Sequence, residues 1–152
     1  MGIFDALSGV GKKVMDVARK NQEEAERAYQ NAQKMDYREL AYATDKGSFG
    51  ERSGYTKAFK ERIRDKSKNM SYNELVQAWE RAVVPVEKQS YATLIKNEIK
   101  KESQYMTDRE VANKFQYAKT SIEKSCYAKI LEKREYLEKN SDGKYQRTSK
   151  KL

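Results

Sequence analysis

Hydrophobic positions recur along this chain at helical spacing, and the pattern itself repeats. Leu75, Ala78, Trp79 and Ala82 fall at i, i+3, i+4 and i+7, and Val111, Phe115 and Ala118 take matching places farther on. Leu40, Ala43 and Thr44 form a weaker version nearer the start. A second set of stripes runs through Tyr91, Leu94, Ile95 and Ile99, echoed by Tyr55, Ala58, Phe59 and Ile63 and by Tyr127, Ile130 and Leu131. These side chains are the predicted core.

Two sequence blocks recur in the same order around the stripes. Met35-Asp36-Tyr37-Arg38-Glu39-Leu40 returns as Met70-Ser71-Tyr72-Asn73-Glu74-Leu75 and as Met106-Thr107-Asp108-Arg109-Glu110-Val111, with starts 35 and 36 residues apart. Glu51-Arg52-Ser53-Gly54-Tyr55-Thr56 lines up with Glu87-Lys88-Gln89-Ser90-Tyr91-Ala92 and Glu123-Lys124-Ser125-Cys126-Tyr127-Ala128 at a period of 36. In the first block Asp36, Ser71 or Thr107 is placed to cap free helix amides, and Glu39, Glu74 or Glu110 three places on completes a capping box. Ser48 with Glu51 and Thr120 with Glu123 repeat the device, while the middle copy puts Pro85, the one proline, at a first helical position. Each repeat therefore reads as a short helix, a connection and a longer helix. The small residue before each repeat Tyr (Gly54, Ser90, Cys126) predicts a close helix crossing. The tetratricopeptide signature, of similar period, is absent.

The predicted fold class is all-α. An N-terminal amphipathic helix occupies residues 1–34, and three helical hairpins occupy 35–69, 70–105 and 106–139 as a short α-solenoid or helical bundle. Residues 140–152 read as a disordered basic tail, with Asn140-Ser141-Asp142-Gly143 stopping the last helix.

On a helical wheel of residues 3–20, Ile3, Phe4, Leu7, Val10, Val14, Met15, Val17 and Ala18 fall within an arc of about 160°. Asp5, Lys12, Lys13, Asp16, Arg19 and Lys20 lie on the other side. From Glu23 onward the apolar stripe thins to Ala25, Ala28, Tyr29 and Ala32. Three uses suit the strong half: a cap over the open end of the repeats, a helix for a partner's groove, or a helix lying in a membrane interface. Gly9 and Gly11 each cost about 1 kcal/mol relative to Ala inside a helix, which suits a segment that firms up on contact.

Composition narrows the chemistry. The 152 residues include no His, one Cys and a net charge of +9. Without imidazole there is no His base and no His metal ligand, and no Gly-rich phosphate loop, paired-Cys site or carboxylate pair in a defined context is visible. No catalytic, cofactor-binding or metal-binding residue is predicted, and the chain reads as non-enzymatic. Leu, Ile, Val and Phe together stay below about a fifth of the chain, a disorder-prone composition with this charge. The 11 Tyr and Trp79 supply the missing apolar surface and favour order. Cys126 has no second thiol to pair with, so its expected role is structural. The opening Met1-Gly2-Ile3-Phe4-Asp5 carries an acid where an export signal carries Lys or Arg, so the expected setting is cytoplasmic.

The positive excess is spread out, and residues 69–104 are neutral. One ordered feature remains: Arg52, Lys88 and Lys124 occupy the same repeat position, an anionic-ligand face if the repeats stack in register. The expected function is that of a helical-repeat adaptor or scaffold whose foremost partner is another protein. Nucleic acid through the basic face and a membrane surface through residues 3–18 are the alternatives. The residues expected to engage a partner or membrane are Ile3, Phe4, Leu7, Val10 and Val14.

Overall fold

A computed structural model describes the backbone of residues 3–151 and the side chains of residues 11–151. The protein is all-α: α1 (Ile3–Ala32), α2 (Tyr37–Ala43), α3 (Phe49–Ser67), α4 (Tyr72–Arg81), α5 (Pro85–Ser103), α6 (Asp108–Gln116) and α7 (Ser121–Lys133) precede one small hairpin, β1 (Leu137–Lys139) with β2 (Tyr145–Arg147).

The helices begin where the capping residues lie. Asp36, Ser48, Thr107 and Thr120 each accept from the backbone amide of a Glu three residues on, and each Glu reaches back to the cap's own amide. Ser71 and Glu74 make the same exchange ahead of α4. Pro85 opens α5, where Glu87 accepts from the Val83 amide at 3.1 Å. Such caps satisfy amides that no earlier turn of the helix can reach.

Two compact units divide the chain, one comprising residues 1–70 with 79–90 and the other 71–78 with 91–152. In the first, Leu40, Ala41, Ala58, Phe59 and Ile63 are buried together with Ala28 and Ala32 of α1. The Tyr37 ring packs on Phe59 with centroids 5.0 Å apart, and its hydroxyl donates to Glu87 at 2.5 Å. In the second, Leu75, Tyr91, Ile95, Ile99, Val111, Tyr127 and Leu131 are buried, and α6 packs along α7. There the Tyr72 hydroxyl donates to Glu123 at 2.9 Å. The two Tyr occupy one repeat position and the two Glu another, so each unit has the same phenol-to-capping-carboxylate contact. Asp108 stands where the third Tyr would be, and it accepts from Arg134 and the Tyr136 hydroxyl, both at 2.7 Å.

The tail corrects the expectation of disorder over residues 140–152. β2 lies inside that segment and pairs antiparallel with β1, Glu138 opposite Gln146. Asn140 closes the turn, its side-chain oxygen accepting from the amides of Asp142 at 3.1 Å and Lys144 at 2.8 Å, and Gly143 supplies the left-handed residue at φ 74°. Asn140 to Gly143 thus make a hairpin turn rather than a helix stop. The last helix ends earlier, at Lys133. Tyr145 donates to Glu132 at 3.1 Å and the Thr148 amide to the Tyr136 carbonyl at 3.1 Å, which ties the strand down.

Candidate interaction surfaces

The second half of α1 is docked and its described first half is not. α1 and α3 run parallel, and α3 meets α1 through glycine. A Cβ at Gly50 would fall 2.5 Å from the Asn21 carbonyl oxygen and 2.8 Å from Glu24 Cβ, while one at Gly54 would overlap the Ala25 carbonyl and sit 2.9 Å from Ala28 Cβ. Only glycine admits backbones this close. Polar contacts lock the seam: Ser48 donates to Glu24 at 2.5 Å, Tyr29 to Glu61 at 2.6 Å, and Arg62 to the carbonyls of Met35 at 2.7 Å and Ala32 at 3.0 Å.

Ahead of that seam, every residue from 11 to 20 is exposed. Val14, Met15 and Val17 keep 63%, 74% and 60% of their surface in solvent, values that decide against residues 11–20 covering the end of the helical body. The cap use therefore fails for this stretch. The thin alanine stripe, not the strong apolar one, is what packs. Lys12, Lys13, Arg19 and Lys20 are exposed on the same turns, with Arg19 3.8 Å from Asp16 and Lys20 3.8 Å from Glu24. Such exposed pairs contribute little. Of the residues expected to engage a partner, Val14 is open as the wheel requires, whereas Ile3, Phe4, Leu7 and Val10 lie outside the described side chains.

Arg52, Lys88 and Lys124 each stand fourth in their helix, α3, α5 and α7, and each is exposed. Arg52 and Lys88 belong to the first unit and Lys124 to the second. Lys88 lies over the Trp79 ring at 5.1 Å, which covers part of the Trp and leaves it half-buried. The residue before each cation is a capping carboxylate, Glu51, Glu87 or Glu123, already holding backbone amides. An anionic ligand at these helix starts would compete with those carboxylates.

A groove of about 740 Å³ lies in the second unit between Tyr72, Glu110, Asn113, Tyr117, Glu123 and Tyr127. Burial pushes the Tyr127 phenol up to about 12. Burial and the Glu123 hydrogen bond raise Tyr72 as well. Burial works against the Glu123 carboxylate, but bonds from the Thr120 amide, the Tyr72 hydroxyl and the Lys119 amide hold it below its ordinary value. These groups are matched to one another: protonated phenols donate to an ionised carboxylate. Nearby Cys126 is half-buried, and burial raises its thiol despite Lys96 and Lys129, which disfavours the reactive thiolate.

Among the described residues no three acidic or cysteine side chains converge as metal ligands would, and no helix is long and apolar enough to cross a membrane. Comparison with family models, characterised proteins and solved structures finds no match for the chain.

The sequence missed the docking of α1. Its signal was the pair Gly50 and Gly54, four residues apart on α3, facing Ala25 and Ala28 with their own small spacing on α1.

Proposed function

We propose that the protein is a non-enzymatic helical adaptor. Its helical body grips the second half of α1 and offers the first half, through Ile3, Phe4, Leu7, Val10 and Val14, to another macromolecule. One observation supports this above the rest: residues 11–20 are exposed around the whole helix while Ala28 and Ala32 of the same helix are buried. A contiguous apolar row left in solvent on a firmly anchored helix is a feature of interaction sites. A cytoplasmic setting accords with the lone, half-buried thiol.

The reading is tested by amide hydrogen exchange on the full chain. Residues 3–20 are expected to exchange fast while residues 21–32 are protected along with α3. Equal protection along all of α1 would make the first half an internal structural element and overturn the proposal. The companion variant Val14→Asp with Val17→Asp is expected to leave the urea midpoint unchanged, because nothing in the body packs on either residue.

A further inference from the structure

We infer that the protein has a second binding site, the groove between α6 and residues 147–151, and that its occupant is an acidic peptide segment of another protein with an apolar side chain as anchor. The groove holds about 640 Å³. All of its lining residues fall between Arg109 and Lys151, within the second unit, so it shares nothing with the α1 overhang and goes beyond the adaptor reading.

Two walls and a floor make the groove. Arg109, Ala112, Asn113 and Gln116 stand at i, i+3, i+4 and i+7 on one face of α6, while buried Val111 belongs to the other face. The opposite wall is the tail, fastened to the end of α7. There the Thr148 amide donates to the Tyr136 carbonyl at 3.1 Å and the Lys150 ammonium to the Arg134 carbonyl at 2.8 Å, which holds Arg147, Ser149 and Lys151 along the groove. Leu131 and Leu137, both buried, and half-buried Phe115 and Tyr136 supply the apolar floor.

Charge selects the occupant. No carboxylate lines the groove among the described residues. Asp108, next to Arg109 in sequence, is engaged by Arg134 and the Tyr136 hydroxyl, both at 2.7 Å. Lys150 is engaged by the Arg134 carbonyl, with Glu135 3.9 Å away. Arg109, Arg147 and Lys151 remain: each is exposed, and among the described residues none has a hydrogen-bond or ion-pair partner for its side chain. Cations gathered along a groove with no acid in its lining favour a ligand of opposite charge. The groove beside Tyr72 differs, because Glu102, Glu110 and Glu123 line it along with its lysines, and Lys114 lies 3.8 Å from Glu102.

The floor favours a peptide over nucleic acid. Bases stack on open ring faces, whereas here Phe115 is half-buried and the Lys150 ammonium lies over the Tyr136 ring at 4.5 Å. An apolar side chain needs only the floor, and the exposed carboxamides of Asn113 and Gln116 carry the donors and acceptors that a peptide backbone pairs with.

The test uses the full chain and two fluorescent synthetic peptides, one with Leu and Phe set among Glu residues and one with every Glu replaced by Gln. By anisotropy the Glu peptide is expected to bind about tenfold or more tightly than the Gln peptide, with affinity falling as salt rises. Arg109→Glu with Arg147→Glu is expected to weaken it about tenfold or more, whereas Arg52→Glu with Lys60→Glu, the same change of charge at exposed positions of α3, should leave it within about twofold. The urea midpoint of the Arg109, Arg147 variant should stay where it is, since neither side chain is paired. If it drops, Arg109→Gln with Arg147→Gln decides, with about a threefold or greater loss of affinity expected. Full affinity in that variant, an equal loss in the α3 variant, equal affinity for the two peptides or no binding of either overturns the site. Binding of single-stranded RNA, or self-association in sedimentation, that depends on Arg109 and Arg147 while the Glu peptide fails to bind overturns the acidic peptide in favour of nucleic acid or a second copy.

Discussion

Arg62 and Arg134, two repeats apart, perform the same task. Arg62 reaches from α3 to the carbonyls of Ala32 and Met35 at the end of α1, and Arg134 reaches from the end of α7 to those of Ser103 and Met106 at the end of α5. The last carbonyls of a helix have no partner within it, and a guanidinium fork closes two at once. The end of α1 is thereby built like the end of α5, and buried Ala32 and Ser103 occupy matching places. α1 behaves as the second helix of a repeat whose front half runs on past the body.

Replacing Arg62 or Arg134 with Met is expected to lower the unfolding free energy by about 1.5–3 kcal/mol, the range for hydrogen bonds to a charged group. Lys at either position should recover little of it, because an ammonium lacks the planar fork. Urea denaturation of the Met and Lys variants checks both statements. Full recovery by Lys would assign the effect to charge alone.

Gly54 sets how closely α3 approaches α1. Gly54→Val must push the two backbones apart, since even a Cβ overlaps the Ala25 carbonyl. A loss of about 1–3 kcal/mol is expected from the overpacking. Exchange protection of residues 21–32 should fall in the same variant, and its persistence would show that the crossing relaxes without releasing α1.

The Tyr72, Glu123 and Tyr127 cluster predicts two pH limits. The folded Glu123 carboxylate lies below its ordinary range, so its contribution is complete above the unfolded value of about 4.3 and is lost as pH falls through the folded value. Tyr127 lies above its ordinary 10.0, at about 12, so its contribution is complete below 10.0 and is lost as pH rises toward 12. Stability against pH, measured by urea midpoints, should fall at both limits. Glu123→Gln is expected to flatten the acid side and Tyr127→Phe the alkaline side. An unchanged alkaline limit in Tyr127→Phe would assign the alkaline loss to Tyr72, whose phenol is raised as well.

Glu135 follows α7 in the left-handed region, at φ 66°. The Tyr136 amide donates to Leu131 at 2.9 Å and the Glu135 amide to Glu132 at 3.0 Å, the paired bonds of a helix ending that favours glycine at this position. Glu135→Gly relieves about 1–2 kcal/mol of Cβ repulsion, set against the greater entropy of an unfolded glycine. Its carboxylate is only 3.9 Å from Lys150 on the surface, a weak pair to lose. A net gain of about 0.5–1 kcal/mol is expected, read as a higher melting temperature. A lower one would assign real weight to the Lys150 contact.

The hairpin tail shows where local reading stops. Asn140, Asp142 and Gly143 carried a turn signal in the sequence, yet β2 has three residues and little apolar surface of its own. What makes it a strand is supplied from elsewhere: β1 beside it, Glu132 for Tyr145, and the Arg134 carbonyl accepting from Lys150 at 2.8 Å.

Where α2, α3, α4, α6 and α7 begin was written in the sequence, because a capping box closes within four residues and needs nothing distant. The core stripes Tyr91, Ile95, Ile99 and Leu40 were equally legible, since helical period alone places them on one face. Which described stretch of α1 would be buried was decided only by the tertiary structure. A helical wheel ranks faces by their side chains and puts Val14, Met15 and Val17 above Ala28 and Ala32, but burial depends on what lies opposite, and it is the alanines that are buried. Gly50 and Gly54 offer α3 as a surface smooth enough for alanine to reach.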